Sequence, residues 1–150
     1  MNIQFRKLTV LDSLQAYEVQ NKTVQDLEFD RQTFITTTLK EFQAMIKKNL
    51  SYGLFVDGVL AGYVLNYKRA KNRTVVMDTI LVNYDNQGTG VGKLLTGFCI
   101  NQFTALGYVY ETAVSENNHV SYNNLTAAGF VDVDRIINVE EESRKLLIVK

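Results

Sequence analysis

Residues 80–93 read ILVNYDNQGTGVGK and carry the most informative pattern of the chain. An apolar strand end over 80–82 runs into a loop with glycine at positions 88, 90 and 92, and the periodic apolar residues of a helix follow. Glycines let successive backbone N–H groups converge, and the start of a helix adds about half a positive charge. The stretch therefore predicts a phosphate-binding loop between a buried strand and a helix.

Two other phosphate-loop patterns fit this loop poorly. The Walker pattern needs glycine where this chain has Gln87, and serine or threonine where it has Leu94. The dinucleotide pattern, started at Gly88, needs a further glycine where Lys93 stands. That pattern also follows the first strand of a parallel β-α-β unit, whereas this loop is predicted to follow an antiparallel meander. A nucleotide hydrolase is therefore a distant alternative.

The rest of the chain predicts a mixed order of strands and helices around the loop. Asp57-Gly58 lies between two apolar runs and predicts a hairpin turn, because glycine accepts a positive φ and aspartate tolerates it. The predicted elements, in order, are strand 2–8, a helix after the capping box of Thr9 and Asp12, helix 31–50, strands 52–56, 59–65 and 74–82, a helix from Val91 that is closed by Gly107, strand 108–114, helix 120–128, and the antiparallel strands 130–139 and 145–149.

This order predicts an α/β (α+β) fold with a mixed central sheet of about seven strands flanked by about four helices. The apolar spacing also predicts which helix faces point inward. The inner face of the first helix is predicted to carry Leu11, Leu14 and Tyr17, and that of the second Ile35, Leu39, Phe42 and Ile46.

The amino-acid composition limits the classes of function that this chain can have. The chain has 150 residues, 46% of them apolar and 21% charged, which is the balance of one globular domain over 1–150. Sixteen basic residues offset sixteen acidic ones, so neither nucleic acid nor an anionic membrane is expected as a partner. Cys99 is the single cysteine, which excludes an internal disulfide and a multi-cysteine zinc site. No signal-peptide or membrane-span pattern is present, so a cytoplasmic location is expected.

Two patterns resemble the GCN5-related N-acetyltransferase (GNAT) superfamily. The first matches the [Gln/Arg]-x-x-Gly-x-[Gly/Ala] loop of that family and reads Gln87-x-x-Gly90-x-Gly92. The second resembles its fifth strand and fourth helix and reads Val114-x-x-x-Asn118-x-x-Ser121, followed by Gly129-Phe130. The resemblance covers essentially the whole chain, including the order of the elements. It implies the acyl-CoA N-acyltransferase fold.

The resemblance implies acetyl-CoA as co-substrate, with no metal, and direct attack by a primary amine in a ternary complex. The backbone of 80–82 would hold the pantetheine arm, and an N–H group of Leu81 or Val82 would face the thioester oxygen. The loop amides would bind the pyrophosphate, with Gln87 and Lys93 in support. The implied coenzyme-binding residues are Ile80, Leu81, Val82, Gln87, Gly88, Thr89, Gly90, Val91, Gly92, Lys93, Asn118 and Ser121.

The attacking amine must lose a proton, because only about one alkylamine in a thousand is neutral at pH 7. Asp78 is the first candidate for the base, since it interrupts an otherwise apolar strand. The alternative is that Asp78 lies at a solvated margin of the sheet or pairs with Arg73 or Lys71. Weaker candidates for the base are Glu111, Glu116 and His119.

The departing thiolate needs a proton, which the family often supplies from a tyrosine four residues before the Gly-Phe pair. This chain has Leu125 there, which departs from the family pattern. Tyr122 lies one helical turn earlier, on roughly the same side of the predicted helix, and is the candidate for the acid. Tyr122 could instead only pack against the sheet.

The acceptor is predicted to be a small or peptidic cationic amine. In this family the connection between the first two helices and the last hairpin wall the acceptor groove, and here both are acidic. The residues concerned are Asp26, Glu28, Asp30, Glu140, Glu141 and Glu142. An acyl-CoA-binding sensor or partner subunit without turnover remains the alternative function, because the family's tyrosine is missing. The family also suggests a homodimer through the late strands.

Overall fold

The computed structural model describes residues 1–26, 36–139 and 142–150. Over these residues the order of strands and helices matches the predicted one. The strands are β1 (Ile3–Lys7), β2 (Tyr52–Val56), β3 (Val59–Lys68), β4 (Thr74–Val82), β5 (Val109–Ser115), β6 (Val131–Val139) and β7 (Glu142–Val149). The α-helices are α1 (Ser13–Asp26), α2 (Leu39–Lys47), α3 (Val91–Ala105) and α4 (His119–Ala128).

The seven strands form one sheet in the order β1-β2-β3-β4-β5-β7-β6. Strands β4 and β5 are parallel and pair from Thr74–Val109 to Met77–Thr112. The pairs β1–β2, β2–β3, β5–β7 and β6–β7 are antiparallel. The predicted α/β (α+β) fold class, with its mixed sheet and four helices, is confirmed.

The chain divides into two compact units, which are described here one at a time. The first unit comprises 1–65 and 79–95, and the second comprises 66–78 and 96–150. The single domain over 1–150 that the sequence suggests therefore stays a prediction.

The first unit has an apolar core between its helices and strands. Phe42 of α2 and Tyr63 of β3 pack edge to face, with ring centroids 5.5 Å apart. The hairpin at Asp57-Gly58 forms as predicted, and both residues have left-handed backbone, with φ of 50° and 82°. The other core residues are Leu8, Ala16, Ile46, Phe55, Leu60, Leu65 and Leu81.

The predicted inner face of the first helix is wrong at Leu11 and Leu14. Leu11 is 94% exposed and Leu14 is 54% exposed. The capping box of Thr9 and Asp12 begins a short 3-10 turn rather than α1 itself, and Asp12 turns inward because Arg6 binds its carboxylate at 2.8 Å. The turn shifts the helix phase, so α1 buries Ser13, Ala16, Gln20, Thr23 and Val24 instead.

Gln20 shows how α1 uses a polar inner face. Its side chain is fully buried, and its Oε1 accepts from the Thr37 N–H at 2.7 Å while its Nε2 donates to the Thr37 carbonyl at 2.8 Å. This side-chain amide therefore pairs with the backbone just ahead of α2, in the way a neighbouring strand would.

Helix α2 begins later than predicted. A capping box of Thr38 and Glu41 starts it at Leu39, and residues 36–38 are not helical. The earlier part of the predicted helix, including Ile35, lies outside the described residues. Phe42 and Ile46 are buried as the spacing predicts.

The second unit is built on a tilted stack of aromatic rings. Tyr110 of β5 lies between Phe103 and Phe130, with centroid distances of 5.2 and 5.5 Å. The Tyr110 hydroxyl donates to Oδ1 of the buried Asn66. Burial raises the pKa of Cys99 to about 12, so this thiol stays protonated at neutral pH.

Strand β6 carries an irregularity between Asp132 and Ile136. Its register on β7 changes from Asp132–Leu147 to Ile136–Lys145, so β6 has extra residues there. Asp134 takes a left-handed φ of 56°, and its N–H donates to Asp132 Oδ1 at 2.9 Å. The bulge thus turns the Asp132 carboxylate into a fixed local acceptor.

Candidate active site

The glycine loop (residues 87–92) follows directly on the loop stem (residues 83–86), which leaves β4 at Val82. Asn83 of the stem is buried, and its N–H donates to the Ala61 carbonyl at 2.8 Å. The Tyr84 N–H donates to Thr23 Oγ1 of α1 at 3.1 Å. Backbone bonds to β3 and α1 therefore fix where the glycine loop begins.

Two glycines of the loop have backbone that other residues rarely adopt. Gly88 has φ of 77° and Gly90 has φ of 88°. A Cβ built on either would meet no described atom within 4 Å, so internal packing does not explain why glycine is needed there. The left-handed conformation explains it, and it leaves an open backbone surface along the loop.

Helix α3 starts directly at this surface. The Leu94 N–H donates to the Gly90 carbonyl at 3.0 Å, which is the first turn of the helix. The N–H groups at the start of a helix lack partners within the helix and carry its positive end. Residues 91–93 therefore present the anion-binding end of α3 next to the glycine loop.

Gly92 and Gly62 serve a different purpose, which is close packing. A Cβ on Gly92 would lie 3.2 Å from Val82 Cγ2. A Cβ on Gly62 of β3 would lie 3.1 Å from the Leu81 carbonyl oxygen and 3.0 Å from Val91 Cγ1. The start of α3 can approach β3 and the end of β4 only because these positions carry no side chain.

Side chains of the loop are partly engaged with the loop itself. Gln87 Nε2 donates to the Val82 carbonyl at 2.7 Å, and Thr89 Oγ1 donates to the Asn86 carbonyl. This bond closes the loop onto the strand end and uses one of the two Nε2 hydrogens, so the support of the pyrophosphate by the Gln87 amide stays a prediction. Lys93 is exposed on the first turn of α3.

In the second unit, three predicted site residues lie at the start of α4, namely Asn118, Ser121 and Tyr122. Asn118 caps the helix, with its Oδ1 accepting from the Ser121 N–H at 3.1 Å. The Tyr122 N–H donates to the Asn118 carbonyl at 3.1 Å. The Asn118 side chain therefore has a structural role, beside the coenzyme contact that the resemblance implies.

Tyr122, Asp132 and Lys145 form the tyrosine cluster. The Tyr122 hydroxyl donates to Asp132 Oδ2 at 3.0 Å, and Lys145 Nζ lies 3.9 Å from the same oxygen and 4.8 Å from the Tyr122 ring centroid. The hydrogen bond to Asp132 raises the pKa of Tyr122 above its ordinary value. The Asp134 N–H, the Tyr122 hydroxyl and Lys145 lower the pKa of Asp132.

The candidates for the base occupy different environments within the second unit. Asp78 is exposed on β4, and His119 is exposed at the first residue of α4. Glu111 of β5 is half-buried and forms an ion pair with Arg69. Glu116 follows β5 and is half-buried, and its N–H donates to the Ser143 carbonyl at 3.2 Å.

Leu125, which stands where the family often has tyrosine, is 8% exposed. Its carbonyl accepts from the Phe130 N–H at 3.1 Å where α4 ends at Gly129. An apolar side chain here packs inside the second unit, and the phenolic hydroxyl on this helix belongs to Tyr122.

The predicted acidic acceptor walls are described only in part. Glu28, Asp30, Glu140 and Glu141 lie outside the described residues, and Asp26 is the last residue of α1. Glu142 forms an ion pair with Arg144 at 3.1 Å.

Sequence reasoning missed Asn83, Gly62, Thr23 and Asp132. A lone asparagine after a strand and a lone threonine in a helix carry no distinct pattern. Gly62 lay inside a predicted strand, where an isolated glycine indicates a bulge or a close backbone approach, and that signal could have found it. The role of Asp132 as the partner of Tyr122 becomes apparent only when the positions of α4 and the β6 bulge are known.

With this geometry in hand, the comparisons with known proteins are decisive for the family. The family model described as the acetyltransferase (GNAT) family matches residues 12–130. The chain belongs to the acetyltransferase (GNAT) family. Members of this family are N-acetyltransferases that use acetyl-CoA, so the predictions of family and of enzyme class are confirmed. No curated protein sequence matches this chain.

Solved structures share the fold of this GNAT chain at low sequence identity. The ribosomal-protein-S18-alanine N-acetyltransferase from Escherichia coli is 16% identical, with a TM-score of 0.77 over 98% of this chain and 91% of that one. The PaiA N-acetyltransferase from Thermoplasma acidophilum, in complex with coenzyme A, is 17% identical, with a TM-score of 0.75 over 97% and 98%. The diaminobutyrate acetyltransferase from Paenibacillus lautus, in complex with L-2,4-diaminobutyric acid and coenzyme A, is 13% identical, with a TM-score of 0.75 over 98% and 93%.

Neither a membrane-spanning helix nor a cluster of metal ligands occurs in the described part of this GNAT chain. No helix there is both long and apolar enough to cross a membrane. Over the same residues, no group of three or more His, Cys, Asp or Glu side chains is placed to hold a metal ion.

Proposed function

We propose that this GNAT chain transfers the acetyl group of acetyl-CoA to a primary amine, and that the glycine loop binds the pyrophosphate of the coenzyme. The observation that carries the proposal is the left-handed backbone of Gly88 and Gly90 directly ahead of α3. It opens the loop backbone toward a ligand at the positive end of a helix, where a diphosphate gains most.

The reaction follows from this assignment and from the family. The amine nitrogen attacks the thioester carbon, the C–S bond breaks, and coenzyme A leaves as a thiolate that takes up a proton. Backbone N–H groups at Leu81 or Val82 would bind the oxyanion, and losing one such donor typically costs about 2.7–4 kcal/mol of transition-state stabilisation. Ile80 to Val82 would hold the pantetheine arm.

The proton transfers are assigned to residues of the second unit. Asp78 would take a proton from the amine, directly or through water, because an ammonium group cannot attack. Tyr122 would return a proton to the sulfur, since a tyrosine hydroxyl is protonated at neutral pH and its hydrogen bond to Asp132 raises its pKa further. Asn118 and Ser121 are proposed to contact the coenzyme by resemblance to the family.

The acceptor is proposed to be a cationic amine, a small molecule or a peptide end. Its support is the count of acidic residues in the two segments that wall the acceptor groove in this family. Among the relatives in structure, one acts on the alanine of a ribosomal protein and another holds diaminobutyric acid, so the fold itself serves both kinds of acceptor. Acetylation of an amine panel should favour polycations, and equal rates for neutral amino acids would remove the idea.

The central test is the substitution Gly90→Ala. Alanine at a φ of 88° is strained by about 1–3 kcal/mol, which should move the loop amides and raise the Kd of coenzyme A at least about tenfold. Isothermal titration calorimetry measures the Kd.

Gly58→Ala is the matched control for this test. Gly58 has φ of 82°, and a Cβ there also meets no described atom within 4 Å, but it lies in the β2–β3 turn. It should lower the melting temperature by a similar amount and leave the Kd unchanged. A folded Gly90→Ala protein that binds coenzyme A as tightly as the parent would contradict the proposal.

A second function stays open, namely an acyl-CoA-binding subunit without turnover. It is favoured by Leu125, which replaces the family's tyrosine, and by the engagement of the Tyr122 hydroxyl with Asp132. Release of free thiol from acetyl-CoA on adding amines separates the two functions. A binder would show stabilisation by the coenzyme and no thiol release.

A further inference from the structure

Asn83 is a buried polar residue at the point where β4 ends and the loop stem begins. It donates hydrogen bonds to two successive carbonyl groups of β3. Its backbone N–H donates to the Ala61 carbonyl at 2.8 Å, and its side-chain Nδ2 donates to the Leu60 carbonyl at 3.1 Å. One residue therefore links the stem to β3 through both its main chain and its side chain.

The two carbonyls are accessible to one residue because β3 is irregular there. Along the β2–β3 pair the register passes from Leu54–Gly62 to Phe55–Leu60, which leaves Ala61 as an extra residue. Such a bulge interrupts the ladder and redirects the local backbone groups. The Asn83 amide supplies a buried donor to a carbonyl at this irregular point.

Asn83 also organises the stem on its other side. Its carbonyl accepts from the Asn86 N–H at 2.8 Å, and its Oδ1 accepts from the Asp85 N–H at 3.4 Å, which together form the 3-10 turn of Tyr84–Asn86. Gly88 follows this turn after a single residue. Any shift of Asn83 is therefore passed on to the glycine loop over a very short length of chain.

We infer that Asn83 is the positioning residue of the pyrophosphate-binding loop, through its amide bond to the β3 bulge. The inference rests on the proposed function, since it assigns to Asn83 the placement of the amides that would bind the diphosphate. Asn83 itself contacts β3 and its own turn rather than the ligand. The main chain of the glycine loop does the binding, and the Asn83 side chain sets its position.

The test uses Asn83→Asp, which keeps the shape and the Oδ1 acceptor but removes the Nδ2 donor. A carboxylate would then face the Leu60 carbonyl and push the stem away from β3. Asn83→Ala removes both groups. The Kd of coenzyme A should rise about tenfold in either variant, which corresponds to about 1.4 kcal/mol. The Kd of pantetheine, which lacks the pyrophosphate, should stay within about twofold of the parent value.

Two controls separate positioning from general damage. Ile46→Val in the core of the first unit should lower the melting temperature, and should leave the affinities for coenzyme A and pantetheine unchanged. Asn101→Asp, at an exposed position of α3, adds the same charge without removing a described hydrogen bond. The fold-change in Kd for coenzyme A relative to pantetheine is a readout that loss of stability alone does not move.

The outcomes distinguish this inference from the proposed function. If the parent protein binds coenzyme A no better than pantetheine, pyrophosphate binding itself is wrong and the proposed function fails. If the parent prefers coenzyme A, and folded Asn83→Asp and Asn83→Ala proteins keep that preference in full, only the role of Asn83 is wrong. Loss of the preference in both variants, with both controls unaffected, supports the inference.

Discussion

The glycine loop and the tyrosine cluster are two kinds of candidate functional site, one built from main-chain groups and the other from side chains. The glycine loop uses main-chain groups, and its shape follows from left-handed φ angles at Gly88 and Gly90. The tyrosine cluster uses side chains, and the direction of the Tyr122 hydroxyl is set by Asp132, ten residues further along the chain. A main-chain site is thus visible in a short stretch of sequence, whereas a side-chain site depends on which element packs beside it.

The largest effect is expected from a substitution in the tyrosine cluster. If Tyr122 returns the proton to the sulfur, Tyr122→Phe should lower kcat about a hundredfold, at the lower end of the usual range for a general acid, because a thiolate is a fairly good leaving group. The KM for acetyl-CoA should change little. Steady-state kinetics with a saturating amine measures both.

The pH profile gives this prediction a second readout. Tyr122 donates only while protonated, so activity should fall as pH rises through its pKa, which Asp132 holds above the ordinary value. Asp132→Asn removes the carboxylate and should move this basic limb to lower pH. An unchanged kcat in Tyr122→Phe, together with a lower melting temperature, would mean that Tyr122 only joins α4 to β6.

An intermediate effect is expected from a substitution in the glycine loop. Gly92→Ala places a methyl group 3.2 Å from Val82 Cγ2 and should displace the first turn of α3. The Kd of coenzyme A should rise about tenfold, or about 1.4 kcal/mol. Val82→Ala removes the opposing carbon, so the double variant should return to within about threefold of the parent, with a coupling energy in the range expected for residues in contact. No rescue in the double variant would show that the contact is not the cause.

The smallest effect is expected from a side chain of the loop. The Gln87 amide bonds to the Val82 carbonyl, and an exposed hydrogen bond of this kind contributes about 0.5–1.5 kcal/mol. Gln87→Ala should therefore raise the Kd of coenzyme A by about threefold, which corresponds to about 0.7 kcal/mol. A loss of a hundredfold or more, measured by calorimetry, would show that the amide binds the pyrophosphate directly and that the loop depends on side chains as well.

Much of the fold could be predicted because its signals are local. Asp57-Gly58 fixes the β2–β3 turn through φ angles that few residues accept, and the apolar run of 74–82 becomes β4 over the predicted range. The glycine spacing placed the loop and the start of α3 correctly for the same reason. These features depend on what a residue's own backbone can do.

The rest could not be predicted because it depends on distant partners. The Thr9–Asp12 pattern was recognised, but the ion pair with Arg6 decides that Asp12, rather than Leu11, points inward. The late start of α2 follows from a second capping box at Thr38, within a stretch whose apolar spacing continued on both sides. The contact of Asn83 depends on the bulge of β3, and the hairpin pattern in the sequence does not reveal that bulge.

The inner face of α1 has a consequence for the order of folding. This helix buries three polar side chains, Ser13, Gln20 and Thr23, beside Ala16 and Val24, and its partly buried Tyr17 and Val19 pack against the core. Its docking therefore depends on polar contacts as well as on hydrophobic burial. The buried Gln20 amide has its hydrogen-bond partners only when the Thr37 backbone is already in place. A short helix without such partners is only marginally stable in water. We therefore expect α1 to join late, with substitutions along it speeding unfolding and hardly slowing refolding.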